Sequence, residues 1–371
     1  MFHYFKCSGC SGTADIVERM KLATLETTLE RDVAEQFAAL VPSGWAVTRS
    51  ERANRGPDMM FAVRAPDGLE ARFVVEVKRV VAPRDVPNVL AQMRMARAGF
   101  EFPVEFVVAA PFLSELTRAA LQQADISYLD RTGNVLIRSD KPSLYVRATG
   151  ASRDPSPSDD KLRGLGGRGA ARAVRALVEF RPPFGIRELA ERSGVALATL
   201  SRTAELLDRD GLLKRDPRGP IQHVDVGGVI RRWAKDYSVS RSNQVISALT
   251  IRGIPALAEQ LASIGSEYAA TGAFGASKFT EIAPTRLVSL YVADAHEFAE
   301  RLGLRTVDSG ANVWLIEPAS DVVFERVILR DNIVCANPAQ QAVDLLTGSG
   351  RDPSIGEELL SWMENNDDWR S

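Results

Sequence analysis

Apolar residues recur at Leu29, Val33, Phe37 and Leu40. Spacings of three and four put them on one stripe of a helix, which Ser43-Gly44 closes. The period then shortens to that of strands over residues 45–49, 58–63 and 72–81, with Ala65-Pro66-Asp67-Gly68 as a hairpin turn between the last two. A helix follows over 86–98, then a buried strand over 104–109 and a helix over 114–123 that Ser114 caps. Strands over 126–129, 134–138 and 144–147 finish this part. Helix, three strands, helix, strand, helix and further strands predict an α/β layer sandwich.

Residues 151–169, ASRDPSPSDDKLRGLGGRG, carry no apolar period and read as a linker. Beyond it the pattern gives helices over 172–179, 186–192 and 198–210, the last closed by Gly211, and then two short strands over 212–215 and 221–224. From about 240 helices (254–264, 295–301, 338–346, 356–364) mix with strands (286–292, 312–316, 327–329), an α+β pattern. The expected organisation is an extension over 1–24, a first domain over 25–150, a flexible linker over 151–170, a helical domain with a wing over 171–237 and a last domain over 238–371.

Charge separates these parts further. The net −2 of the 371 residues divides into +1 for 1–150 (19 Lys+Arg, 18 Asp+Glu), +5 for 151–237 (17 against 12) and −8 for 238–371 (10 against 18). A basic middle next to an acidic end points to a polyanionic partner for the middle. No apolar run reaches the roughly 18 residues of a membrane helix, and the polar start has no secretory core, so a cytoplasmic location without membrane contact is expected. Cys7 and Cys10 form a lone CxxC, and His3, His223 and His296 provide no second ligand pair, which argues against structural zinc. The N-terminus reads as frayed, with Met20 an alternative start.

The first domain carries a candidate site. Residues 56–58 are Gly-Pro-Asp and residues 76–78 are Glu-Val-Lys. Residues i and i+2 of a strand share a face, so Glu76 and Lys78 point the same way and the hairpin can bring Asp58 beside them. Converging carboxylates can hold a divalent cation, which can generate hydroxide and stabilise a phosphoryl transition state, while an ammonium neutralises developing charge. These residues resemble the PD-(D/E)xK nuclease superfamily, of restriction-endonuclease-like α/β/α fold, over about residues 25–148. The resemblance implies Mg²⁺ held by Asp58 and Glu76 with help from the Val77 carbonyl, a catalytic role for Lys78, and a further role for Gln92 on the next helix. It also implies a glutamate on the first helix, for which Glu30 and Glu35 both qualify.

The middle domain reads as short helix, turn, helix and wing. Leu200, Ala204 and Leu207 are expected to face inward, leaving Thr199, Arg202 and Thr203 for base edges. Arg202 can donate twice to a guanine, and Lys214, Arg215 and Arg218 on the wing suit phosphates. The run Leu206-Leu207…Gly211-Leu212-Leu213-Lys214-Arg215 resembles bacterial winged-helix regulators. With Tyr268-Ala269-Ala270-Thr271-Gly272, Asn312-Val313-Trp314, Pro338, Gln340, Asp344-Leu345 and Gly350-Arg351, residues 171–371 resemble AbiEi-type proteins, the antitoxin regulators of type IV toxin–antitoxin systems. That implies double-stranded DNA and a toxin protein as partners, the latter at the acidic last domain. In the last domain itself, Asp344 and Arg351 read as an ordinary ion pair, and no nucleophile–base pair, P-loop or GxGxxG is present. Two functions are expected from these features: a DNA-binding regulator with a nuclease-like first domain, or a Mg²⁺-dependent DNA endonuclease targeted by its winged helix.

Overall fold

A computed structural model describes residues 31–50, 59–156, 164–215, 219–265 and 267–371. The chain is mixed α/β and divides into two compact units, residues 1–159 with 209–211, and 160–208 with 212–371. Among the described residues no helix is long and apolar enough to cross a membrane.

The first unit has helix α1, described over 31–40, followed by β1 (Ala46–Ser50), β2 (Met59–Arg64), β3 (Glu70–Val77), α2 (Val86–Arg97), β4 (Glu105–Ala110), α3 (Glu115–Gln123), β5 (Ser127–Asp130), β6 (Val135–Ser139) and β7 (Leu144–Ala148). The seven strands form one sheet in chain order. Its centre, β3–β4–β5, is parallel and its flanks are antiparallel. Both faces are covered, which is why β4 after Glu105 is a continuous apolar run rather than an alternating one. Val107 and Ala109 pack on the α1 side with Phe61, Phe73 and Val75. Val108 and Ala110 pack on the other side with Val89 and Met93 of α2 and Leu121 of α3. Phe37 of α1 stacks on Phe61 at 4.6 Å between centroids and meets Phe73 edge-on at 5.3 Å. The β2–β3 turn lies where the sequence places it, with Gly68 at φ +86°, a conformation that side-chain-bearing residues rarely adopt.

The second unit opens with α4 (Arg168–Glu179), α5 (Ile186–Ser193) and α6 (Leu197–Arg209). A two-stranded hairpin follows, β8 (Leu213–Arg215) and β9 (Ile221–Val224), to which Phe184 adds one bridge at Ile221. Gly194, at φ +66°, ends α5 and lets the chain turn into α6. Then come α7 (Val226–Ala234), α8 (Val239–Ser242), β10 (Gln244–Leu249), α9 (Gly253–Ser263), β11 (Tyr268–Thr271), α10 (Gly272–Ala276), β12 (Val288–Val292), α11 (Ala295–Leu302), β13 (Arg305–Thr306), β14 (Val313–Glu317), β15 (Ile328–Arg330), β16 (Ile333–Cys335), α12 (Pro338–Leu346) and α13 (Asp352–Asn365). Seven of these strands form a second sheet in the order β13-β10-β14-β12-β11-β16-β15.

One continuous apolar core runs from Leu165 through the three helices and the hairpin to Trp369. Polar ties cross the same span. Buried Arg175 and Glu179 pair on α4, Arg175 also donates to the carbonyls of Val322 and Glu325, and Arg326 reaches the other oxygen of Glu179. Arg231 of α7 grips Glu357 of α13 through both carboxylate oxygens at 2.5–3.2 Å. The basic helices and the acidic sheet region are therefore packed together over a shared core.

Candidate functional site

Three groups of residues bear on function. The first lies where β3 ends. Glu76 and Lys78 share a face, and the ammonium donates to Glu76 Oε1 at 2.6 Å. Both side chains are one-third exposed. The backbone of Lys78 continues the ladder beyond β3 by donating to Ala109 at 2.8 Å, so the pair sits at the carboxyl end of the parallel part of the sheet, the usual place for a site in such sheets. The described β2–β3 pairing ends at Met59 opposite Val75, one residue short of Glu76. Asp58 and Glu30 lie outside the described residues. Glu35 is exposed on α1. Gln92 is exposed on α2, whose buried face is Val86, Val89 and Met93, and among the described residues no hydrogen bond joins it to Glu76 or Lys78.

A divalent ion needs several hard oxygen ligands. No group of three or more His, Cys, Asp or Glu suited to a metal occurs among the described residues. Glu76 supplies one carboxylate there, and one of its oxygens is taken by Lys78.

The second group is on α6 and the hairpin. Arg202 is exposed, and its Nε donates to the carbonyl of Ala198 at 3.1 Å. That bond holds the guanidinium back along the helix, as long side chains in helices tend to lie, and leaves both terminal nitrogens without a partner among the described residues. Thr199 is half-buried and Lys214 is exposed. Arg218 lies outside the described residues. Thr203 departs from expectation. It is fully buried, because it lies three residues after Leu200 and four before Leu207, which places it on the inward stripe. Arg215 is half-buried and donates to Asp208 of α6 at 3.3 Å, so it braces the hairpin against the helix as well as facing outward.

The third group is not one the sequence predicts. Asp344 is buried and makes no ion pair with Arg351, which is exposed at the start of α13. Its Oδ1 accepts from Tyr237 Oη and Gln340 Nε2, both at 2.9 Å, and its Oδ2 from Thr271 Oγ1 at 2.6 Å and Tyr291 Oη at 2.8 Å. Asn243 Nδ2 donates to Tyr237 Oη at 3.2 Å. All four lone-pair positions of the carboxylate are filled by neutral donors. Burial pushes the Asp344 carboxyl up to about 6, against the pull of those hydrogen bonds, and burial also raises both tyrosines well above their ordinary range. The legible signal is Gln340 and Asp344, four apart on one helix and so on one face. This network joins α7–α8, β11, β12 and α12, and its full satisfaction marks it as a structural clamp. Cys335 is inert as a nucleophile: burial pushes its thiol up to about 12.

No protein-family model and no curated protein matches the chain. A solved structure of EndoMS in its apo form aligns at 20% identity over 27% of this chain and 45% of that one, with a TM-score of 0.20. The alignment thus spans under half of that structure's length, and a likeness this slight fixes neither fold nor activity.

Proposed function

We propose that the protein binds double-stranded DNA through α6 and the β8–β9 hairpin, as a winged-helix regulator. The observation that carries this reading is Arg202: an exposed guanidinium on the outer face of the second helix of a helix–turn–helix, with both terminal nitrogens available to donate to the paired acceptors of guanine. Exposed Lys214 on the hairpin suits phosphate, and the surrounding sequence is net positive by five charges. A role as an AbiEi-type regulator, with a toxin protein bound at the acidic residues 238–371, is part of the same proposal and rests on the sequence resemblance. In fluorescence anisotropy with selected duplexes, Arg202→Ala should cost about 1–3 kcal/mol and relax preference at one base pair. Lys214→Ala should weaken all duplexes alike and flatten the salt dependence. Equal binding by wild type and the double variant would remove this surface from the reading.

A second reading is favoured by the Glu76–Lys78 pair at the end of the parallel strands. In it the first unit is a Mg²⁺-dependent deoxyribonuclease. Glu76 would hold the ion together with Asp58, and the ion would supply a metal-bound nucleophile when present. Lys78 would sit beside the phosphate and offset its charge. Incubation with supercoiled plasmid and Mg²⁺ or Mn²⁺ tests this reading: nicking by the wild type that Lys78→Ala abolishes supports it, and intact plasmid in both reactions discards it.

A further inference from the structure

The first turn of α6 carries a residue whose exposure the fold leaves unexplained. Leu200, Leu206 and Leu207 of this helix are buried, whereas Leu197 is 44% exposed. Its neighbours Ala196 and Ala198 are exposed too, so the turn that leads into the helix presents a small apolar surface. Arg202 is drawn to the same turn by its bond to the Ala198 carbonyl. An apolar surface beside an arginine fork, on the element proposed to enter the major groove, has a chemical counterpart there. A methyl group at C5 of a pyrimidine is the apolar feature of the groove, and guanine O6 and N7 are the paired acceptors.

We infer that α6 reads a C5-methylated pyrimidine next to a guanine, with Leu197 on the methyl and Arg202 on the guanine. This rests on the DNA-binding reading above and assigns specificity within it. The methyl can belong to thymine or to 5-methylcytosine, and the two are chemically alike at that point. Leu197 would gain by burial what it now leaves in water, and the arginine's terminal nitrogens would find the acceptors they lack. Removing one methyl from the contact should weaken binding about fourfold, the factor that one buried methyl-sized group contributes.

The test uses the full chain. Binding sites are enriched from a random duplex library, and the enriched duplex is remade with uracil in place of the thymine beside guanine. Two further duplexes carry cytosine or 5-methylcytosine, paired with guanine, at that position. Wild type should bind the thymine form about fourfold more tightly than the uracil form, and the 5-methylcytosine form more tightly than the cytosine form. Whichever methylated base binds better names the natural ligand. Leu197→Ala should retain binding to the uracil duplex but lose the preference, and Leu197→Ser should behave likewise. Equal binding of methylated and unmethylated forms by wild type, thymine against uracil and 5-methylcytosine against cytosine, overturns the inference, as does a preference that survives Leu197→Ala. Absence of binding to every duplex would instead sink the DNA-binding reading on which the inference rests.

Discussion

Replacing Glu179 by alanine should destabilise the second unit by about 3–5 kcal/mol, the usual cost of taking one partner out of a buried ion pair. Glu179 and Arg175 are both fully buried on α4, one turn apart, and Arg326 closes on the second carboxylate oxygen from the segment after Phe324. Without the carboxylate, Arg175 keeps its bonds to the Val322 and Glu325 carbonyls but loses the charge that balances it. Arg326 is held in a left-handed backbone conformation at φ +53°, which a residue with a side chain adopts at some cost. Its ion pair with Glu179 is part of what holds it there. Urea unfolding followed by tryptophan fluorescence reads the effect, since Trp233, Trp314, Trp362 and Trp369 all lie in this unit. The triple change R175M/E179L/R326M separates two explanations. If the loss in Glu179→Ala comes from stranded charge, the apolar triple should be much less damaged than the single variant. A single variant as stable as wild type would show that water or a neighbour replaces the carboxylate.

This triad, rather than the linker, fixes α4 against residues 322–326, and no sequence pattern announces it. Arg175 and Glu179 are spaced i,i+4, which on an amphipathic helix is most often a solvated pair. Here residues 322–326 pack over α4, and both side chains are fully buried. The same limit applies elsewhere. The strands of the first unit are legible because each face of the sheet has its own apolar layer: Phe61, Phe73 and Val75 alternate with partners that point the other way, and β4 is apolar from Phe106 to Ala110. In the second unit β10 (QVISAL) and β11 (YAAT) are absent from the strands that the pattern predicts. β11 is four residues, half of them alanine, a residue with weak strand preference, and α10 begins at once behind it. Its strand character comes from pairing with β12 and β16. Thr203 differs for another reason. Its hydroxyl suggests an outward role, while its helical position puts it on the core stripe. Glu76 and Lys78 are legible because a two-residue spacing on a strand leaves little freedom, and the structure joins them at 2.6 Å.

The buried carboxylate predicts a pH dependence of opposite sign to the usual acid loss. Asp344 titrates at about 6 in the folded chain, against 3.8 for an unburied aspartate. The folded state therefore binds this proton more tightly than the unfolded state does. Its contribution to stability is fully present below pH 3.8 and is lost as pH rises through about 6. The full difference corresponds to about 3 kcal/mol at 1.36 kcal/mol per pKa unit, of which about 1 kcal/mol should develop between pH 7 and pH 5. Glu357 works the other way: its hydrogen bonds from Arg231 hold its carboxyl below the ordinary range, so its contribution is lost at lower pH. The two effects leave a window near pH 5–6 in which Asp344 dominates. Tyr237 and Tyr291 stay neutral throughout, since burial raises both, and each can turn its hydroxyl to accept once Asp344 is protonated. Gln340 cannot, because its amide nitrogen only donates. Asp344→Asn removes the titration and keeps the shape, at the expense of setting one amide nitrogen against the network's donors. The urea midpoint of the second unit should rise for wild type relative to Asp344→Asn as pH falls from 7 to 5. Parallel curves for the two proteins would mean that the four donors hold Asp344 in the ordinary carboxylate range, with the network's hydrogen bonds outweighing its burial.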